Sequence, residues 1–340
     1  MRIGLLLPAA MAVDGRGNGI RAQAIHQMEA LRRLGHDVVP MQPWEEYDSA
    51  SFDVVHFLLG GPSVHGLAAR RRISLRMLSF APIIDTNESF SRYRLAARLG
   101  GLTPKVFTIP GMYREQAMAS DLVVCRSRHE RDRMVKGLGI DDAKCRIVLN
   151  GVDPPPPADG DRARRKFGLD GDFLLHVGAF TQARKNAVRL AEAAIAAERP
   201  LVIAGRSDPG ATRSRLDELA ARSGGLIRIL EFLERRDLED LYAACRVFCL
   251  PSVHEGTGLV ALEAAAHGAG VVVTRHGGPP DYFGEDARYV DPASREDIAR
   301  AISEAWEDPR GDRLRQHVAG LTWEASARSL VEAFESRRPS

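Results

Sequence analysis

VFCLPSVHEGTGLVALEAAAHGAGVVVT, residues 247–274, holds the decision about the fold. It opens with an apolar run without polar alternation, the pattern of a strand buried on both faces. HEGTG then supplies glycines and polar residues for a loop. LVALEAAAH is rich in leucine and alanine and reads as a helix, which Gly268 stops. GVVVT begins a second buried strand. Strands of this kind alternating with helices argue for a parallel sheet.

The same alternation runs through the chain. RIGLLLP, HDVVP, DVVHFLL, PIID and DLVVC read as strands in the first half, and FLLHVG, PLVIAG, LIRIL, RVFCLP and GVVVT in the second. The first helix is expected from Gly19 to Leu34, with Ile25, Met28 and Leu31 toward the sheet and Gly35 ending it. LNGVDPPPP separates the halves, because Pro154 to Pro157 fit neither a helix nor a central strand. TWEASARSLVEAFES closes the chain as an amphipathic helix. The expected organisation is residues 1–152 as one Rossmann-like lobe, 153–320 as a second, and 321–340 as a terminal helix. In open α/β sheets ligands bind outside the carboxyl ends of the strands, so a cleft between the two lobes is the expected site.

Bulk composition narrows the class. At 340 residues the chain is too long for one ordinary core. Its 44% hydrophobic and 27% charged residues suit a water-soluble globular protein, and no stretch is apolar for long enough to span a bilayer. MRIGLLLPAAMAV reads as a first buried strand rather than a signal peptide, because a glycine turn and a helix follow it. The four cysteines form no CxxC pair and fit a reducing cytoplasm. Net charge is +2, with 21 Lys and Arg against 15 Asp and Glu in residues 1–150. With charge near zero and no recognition motif, nucleic acid is not an expected partner.

Four stretches carry candidate chemistry, all at strand-to-helix turns. DGRGNGIRAQ, residues 14–23, places Gly17 and Gly19 where the backbone can approach an anion. VGAFTQARKN, residues 177–186, puts Arg184 and Lys185 at the start of a helix. Two cations at that positive end oppose folding, which points to an anionic ligand such as a diphosphate. In EGTGLVALE the amides of Gly258, Leu259 and Val260 are available to phosphate oxygens. Glu255 is placed to reach sugar hydroxyls and Glu263 to accept from a ribose. RHGGPPD, residues 275–281, adds a glycine turn near the same edge. Each stretch taken alone also reads as ordinary structure: a βα turn, a solvated basic loop, a helix-entry acid or a surface carboxylate.

Taken together, the ordered set GNG, GHDV at 35–38, LNGVD at 149–153, VG…RKN, EGTGLVALE and HGGPPD resembles the retaining glycosyltransferases of family 4, which have the GT-B architecture. The most specific element is a pair of glutamates separated by seven residues, Glu255 and Glu263. The resemblance covers about residues 2–335. It implies a nucleoside-diphosphate sugar as donor, with Arg184 and Lys185 on the diphosphate, Glu263 on the ribose, Glu255 on the transferred sugar and Gly19 on a phosphate. It implies no cofactor and no essential metal. Four positions depart from the family. Ala179 stands just after the VG turn, where many members have an arginine, although members that carry RKN often lack it too. Thr257 stands where an aromatic is common and Asp281 where a glutamate is common. The histidine that usually ends the strand read as PIID is missing, and Asn87 is the best positional substitute.

The two DGD sequences, at 159–161 and 170–172, read as turns rather than metal sites. Arg70, Arg71, Arg72 and Arg76 cluster with Ile73, Leu75, Met77 and Leu78, and no Asp or Glu occurs from Val54 to Ile84. Such a segment reads either as an arginine-rich surface helix or as a peripheral contact with the inner face of an anionic membrane. The acceptor it would serve is a sugar, a lipid-linked glycan or a small molecule. Two other functions share the fold: a sugar-nucleotide epimerase, and a nucleotide-sugar-binding protein impaired in catalysis.

Overall fold

The computed structural model describes residues 1–8, 19–42, 44–60, 76–84, 86–99 and 108–337. The chain forms two compact units, Met1–Gly151 with Trp323–Ser340, and Val152–Thr322. Among the described residues no helix is long and apolar enough to cross a membrane.

The first unit holds six strands: β1 (Arg2–Leu6), β2 (Asp37–Pro40), β3 (Val54–Leu58), β4 (Leu78–Ala81), β5 (Leu122–Cys125) and β6 (Cys145–Ile147). All neighbours are parallel, in the order β2-β1-β3-β4-β5-β6. β3, β4 and β5 are buried along their whole length, as their uninterrupted apolar runs require. Phe57 and Phe80 stack at 4.6 Å between ring centroids in the core of this unit.

Two expectations need correction here. The strand expected at PIID lies earlier, at LSFA (78–81). Pro82 has no N–H for a ladder, and Ile83 takes a left-handed φ of 54°, so pairing ends at Ala81. Met77 and Leu78 are consequently buried at the sheet rather than on a surface helix, and Arg76 pairs with Asp53 at 3.5 Å. Arg70, Arg71, Arg72, Ile73 and Leu75 lie outside the described residues, as does Gly17.

The first helix runs Gly19–Arg33, but its buried face is Gln23, Ala24, Gln27, Ala30 and Leu31, with Ile25 and Met28 half-buried at its flank. A second layer explains the shift. The terminal helix Trp323–Glu335 packs on it and buries Trp323, Ser326, Ala327, Leu330, Ala333 and Phe334. Trp323 stacks on His26 at 5.3 Å, and Phe334 meets His56 of β3 at 5.6 Å.

The second unit has β7 (Leu174–Ala179), β8 (Leu201–Arg206), β9 (Ile227–Leu230), β10 (Val247–Leu250), β11 (Gly270–Thr274) and β12 (Arg288–Val290), again all parallel. Their order is β12-β11-β10-β7-β8-β9. This is the six-stranded Rossmann order, with its reversal between β7 and β10. Helix Ala187–Ala196 packs against this sheet through Ala187, Leu190, Ala191, Ala193 and Ala194, small side chains that let the backbones approach closely. The two DGD sequences are structural here. Asp159 caps helix Gly160–Phe167 by accepting from Arg162 N at 3.0 Å, and Asp172 pairs with Arg246 at 3.0 Å beside a left-handed Gly171.

Candidate functional site

At the β7/β10 reversal the chain leaves both strands toward the same edge of the sheet. After β7 it makes a short turn, Ala183–Lys185, and Asn186 adopts a left-handed φ of 59° before helix Ala187–Ala196. After β10 it enters Ser252–Gly258 and then helix Leu259–Ala266, whose first position is preceded by Gly258 at φ 81°. That positive φ is the reason for glycine there, since other residues resist it.

Backbone and side-chain contacts join the two loops. Val253 N donates to Arg184 O at 2.8 Å. Asn186 Nδ2 donates to Pro251 O at 2.9 Å and to Pro292 O at 2.8 Å. Lys185 Nζ donates to Glu255 Oε1 at 2.6 Å. Glu255 also accepts from Ser252 Oγ at 2.7 Å, and Arg184 Nη1 stands 3.6 Å from the same oxygen. Glu255 is only 6% exposed. Burial pushes its carboxyl up. The charges of Lys185 and Arg184, and the hydrogen bonds from Lys185 and Ser252, outweigh that and hold it below the ordinary range. It is therefore a fixed acceptor, unsuited to proton donation near neutral pH.

The glycine turn after β11 braces this loop. Glu255 N donates to His276 O at 3.2 Å and Gly278 N to Glu255 O at 3.0 Å, a parallel bridge between Glu255 and Gly277. Gly277 has φ 108°, and a Cβ on it would lie 1.9 Å from Glu255 O. Only glycine fits.

The sequence reading thus brings Arg184, Lys185 and Glu255 together, with Gly258, Leu259 and Val260 directly following. Lys185 differs from the solvated cation expected of a basic loop, being buried and paired. Arg184, whose side chain is 47% exposed, supplies the trio's outward charge. The amides of Leu259 and Val260 fall in the first helical turn, where N–H groups have no intrahelical acceptor. Glu263 lies further along the helix, and accepts from Arg235 and Tyr242, each at 3.0 Å. Thr257 is buried and donates to the Tyr282 hydroxyl at 3.3 Å, so it replaces an aromatic as a packing group.

Gly19 and Asn87 belong to the first unit. Gly19 opens its helix after β1, and a Cβ there would meet nothing within 4 Å among the described residues. Asn87 is exposed in the loop before helix Phe90–Leu99. The sequence reading missed Ser252, Arg235, Tyr242 and His267. Asn186 was quoted within RKN, but its side-chain bridge to the β10 loop has no sequence signal.

Two units, each built on a parallel six-stranded sheet, make up the GT-B fold, and in the second of them cations, a carboxylate and a helix N-terminus meet at the strand-order reversal. Comparison with known proteins agrees. Residues 171–308 match the family described as "Glycosyl transferases group 1". A D-inositol 3-phosphate glycosyltransferase of Kribbella flavida is 28% identical, over 93% of this chain and 75% of that one. That of Rhodococcus jostii is 30% identical over 74% of this chain and 61% of its own. Sucrose-phosphate synthase of Thermosynechococcus elongatus has the same fold, with a TM-score of 0.75 at 17% identity over 99% of both chains. HepE of Anabaena, solved in complex with UDP, has a TM-score of 0.73 at 16% identity over 99% of this chain and 100% of that one. The match to the group 1 glycosyltransferases thus lies in the second unit, over residues 171–308.

Proposed function

We propose that this glycosyltransferase moves a sugar from a nucleoside-diphosphate sugar to an acceptor hydroxyl with retention of the anomeric configuration. The observation that carries the reading is the meeting of Arg184, Lys185 and Glu255 beside the N-terminus of helix Leu259–Ala266. Breaking the anomeric C–O bond moves negative charge onto the diphosphate. The two cations outweigh Glu255 by one charge, and the Leu259 and Val260 amides add aligned dipoles. Such preorganised donors contribute about 2–4 kcal/mol each to the transition state.

Glu255 accepts hydroxyls of the transferred sugar, and Lys185 links that carboxylate to the leaving group. Glu263 accepts from the ribose. The acceptor oxygen bonds to the anomeric carbon on the face from which the diphosphate leaves, and a phosphate oxygen takes the acceptor's proton. The two glutamates position the substrate, so no covalent sugar–enzyme intermediate is required. No divalent ion is required either, and turnover should persist in EDTA. Gly19 and Asn87 keep the phosphate and sugar roles that the resemblance gives them, as targets for mutagenesis.

Two of the similar proteins named above are D-inositol 3-phosphate glycosyltransferases, so an inositol phosphate belongs in the acceptor panel beside sugars and lipid-linked glycans. Membrane contact is tested separately, by flotation with anionic vesicles. The primary experiment is thermal-shift screening with UDP, GDP and ADP, followed by turnover of the matching sugar nucleotides and NMR of the product anomer. A ligand at 100 times its dissociation constant stabilises by about 2.7 kcal/mol. Product with the donor's anomeric configuration supports the proposal and inverted product refutes it. Nucleotide protection without turnover of any donor would favour a binding protein.

A further inference from the structure

Glu263 stands in a charged cluster. Arg235, besides donating to Glu263, pairs with Glu239 at 2.5 Å. Glu239 Oε2 lies 3.1 Å from His267 Nε2, and His267 Nδ1 lies 2.9 Å from the Glu263 carbonyl oxygen. Both His267 and Glu239 are buried. The Tyr242 ring sits 5.7 Å from the His267 ring while its hydroxyl donates to Glu263.

The two contacts of His267 favour its charged form. A carbonyl oxygen only accepts, so Nδ1 carries a proton. Nε2 and Glu239 Oε2 stand 3.1 Å apart, and neither has another hydrogen-bond partner among the described residues. A carboxylate oxygen only accepts and would repel a bare Nε2 lone pair, so this contact favours a second proton on the ring, at Nε2. His267 directly follows helix Leu259–Ala266, at the end where backbone carbonyls favour a cation. Burial pushes the ring's proton affinity down, but Glu239 and the Glu263 carbonyl raise it above the ordinary histidine value.

The charged and titratable groups that face the ring among the described residues come from two helices. Helix Arg235–Ala244 contributes Arg235, Glu239 and Tyr242, and His267's own helix contributes Glu263. Helix Gly311–Val318, on the other side, buries Leu314 and Val318. Its Arg313 and His317 face Asp286, and its Arg315 pairs with Asp312. The adjoining β10 and β11 are apolar and buried.

We propose that His267 is a positioning residue for nucleotide binding: as an imidazolium it occupies Glu239, leaving Arg235 and Tyr242 to hold the Glu263 carboxylate toward the ribose, so that affinity falls when the ring loses its second proton. The proposal rests on the reading of Glu263 as the ribose acceptor. Deprotonation removes the cation between Glu239 and the helix end. Glu239 then draws Arg235 to itself and away from Glu263.

The test uses the full chain. Imidazole ¹⁵N shifts, assigned with His267→Gln, should show a doubly protonated ring at about pH 7. Dissociation constants for UDP, GDP and ADP are then measured from about pH 6 to about pH 9, spanning the histidine range. For the nucleotide that binds, wild-type affinity should fall about tenfold across that range, the scale of other supporting contacts. His267→Gln should bind weakly throughout with a flat profile. A neutral ring at neutral pH overturns the proposal, and so does a wild-type profile that survives His267→Gln. Unchanged affinity in Glu263→Gln would instead remove the ribose reading, while leaving the ring's charge as measured.

Discussion

Lys185→Met separates what the buried ion pair does for stability from what it does for transfer. The substitution keeps most of the stem's volume and removes the charge, leaving Glu255 buried with Ser252 at 2.7 Å and Arg184 at 3.6 Å. Breaking a buried pair by deleting one partner costs about 3–5 kcal/mol. The two remaining partners place this case at the lower end, about 3 kcal/mol. For a unit of this size that lowers Tm by about 6–12 °C. Trp306 is the only tryptophan in Val152–Thr322, so its fluorescence reports on the relevant unit. The double variant Lys185→Met/Glu255→Gln removes both charges and should regain most of the lost stability. It should not regain transfer, because the diphosphate still lacks its cation. Donor turnover should be lower by about 30- to 900-fold in both variants, equivalent to about 2–4 kcal/mol. Recovery of turnover in the double variant, or wild-type turnover in the single one, would refute the assignment of Lys185 to the leaving group.

Other consequences follow from the same geometry. Gly277→Ala drives a Cβ into Glu255 O and shifts the carboxylate, so turnover should drop about 100-fold while the nucleotide still binds. His56 in the first unit and His176 in the second are fully buried, and burial lowers them from 6.5 to about 3 and about 4. Because these folded values are depressed, the unfolded chain binds more protons as pH falls from 6.5. Each histidine should therefore add a slope of about 1.4 kcal/mol per pH unit to acid destabilisation of its own unit. Urea titrations at stepped pH check this, and His56→Gln should flatten only the first unit's slope. Glu255 acts at lower pH. Its depressed carboxyl stabilises the fold above the ordinary glutamate range, and that contribution disappears as acid protonates it.

The parts of the fold legible in the sequence were those written in long apolar runs. β10, helix Leu259–Ala266 and β11 read directly from VFCL, LVALEAAA and GVVVT, because burial on both faces leaves no room for polar residues. β6 and β12 span only three residues each, too short for any periodic signal. β4 was hidden because Pro82 and two isoleucines drew the strand assignment downstream. Gln23 and Gln27 obscured the buried face of the first helix, because the covering helix arrives from the far end of the chain.

The site divides the same way. Arg184, Lys185, Glu255 and Gly258 occupy fixed positions after β7 and β10, and a strand–loop–helix reading suffices to find them. Arg235, Tyr242 and His267 meet Glu263 by tertiary packing between two helices. No spacing in the sequence marks a partner 28 or 21 residues upstream of Glu263. The burial of Lys185 was illegible for a related reason. Its neighbours in sequence are polar, and the carboxylate that neutralises it is 70 residues away.

The most direct test is a crystal structure of the chain with the nucleoside diphosphate that gives the largest thermal shift among UDP, GDP and ADP. The diphosphate should lie against Arg184, Lys185 and the amides of Leu259 and Val260, with the ribose hydroxyls on Glu263. A nucleotide seated away from the β7/β10 edge, with Lys185 and Glu263 untouched, would contradict the assignment.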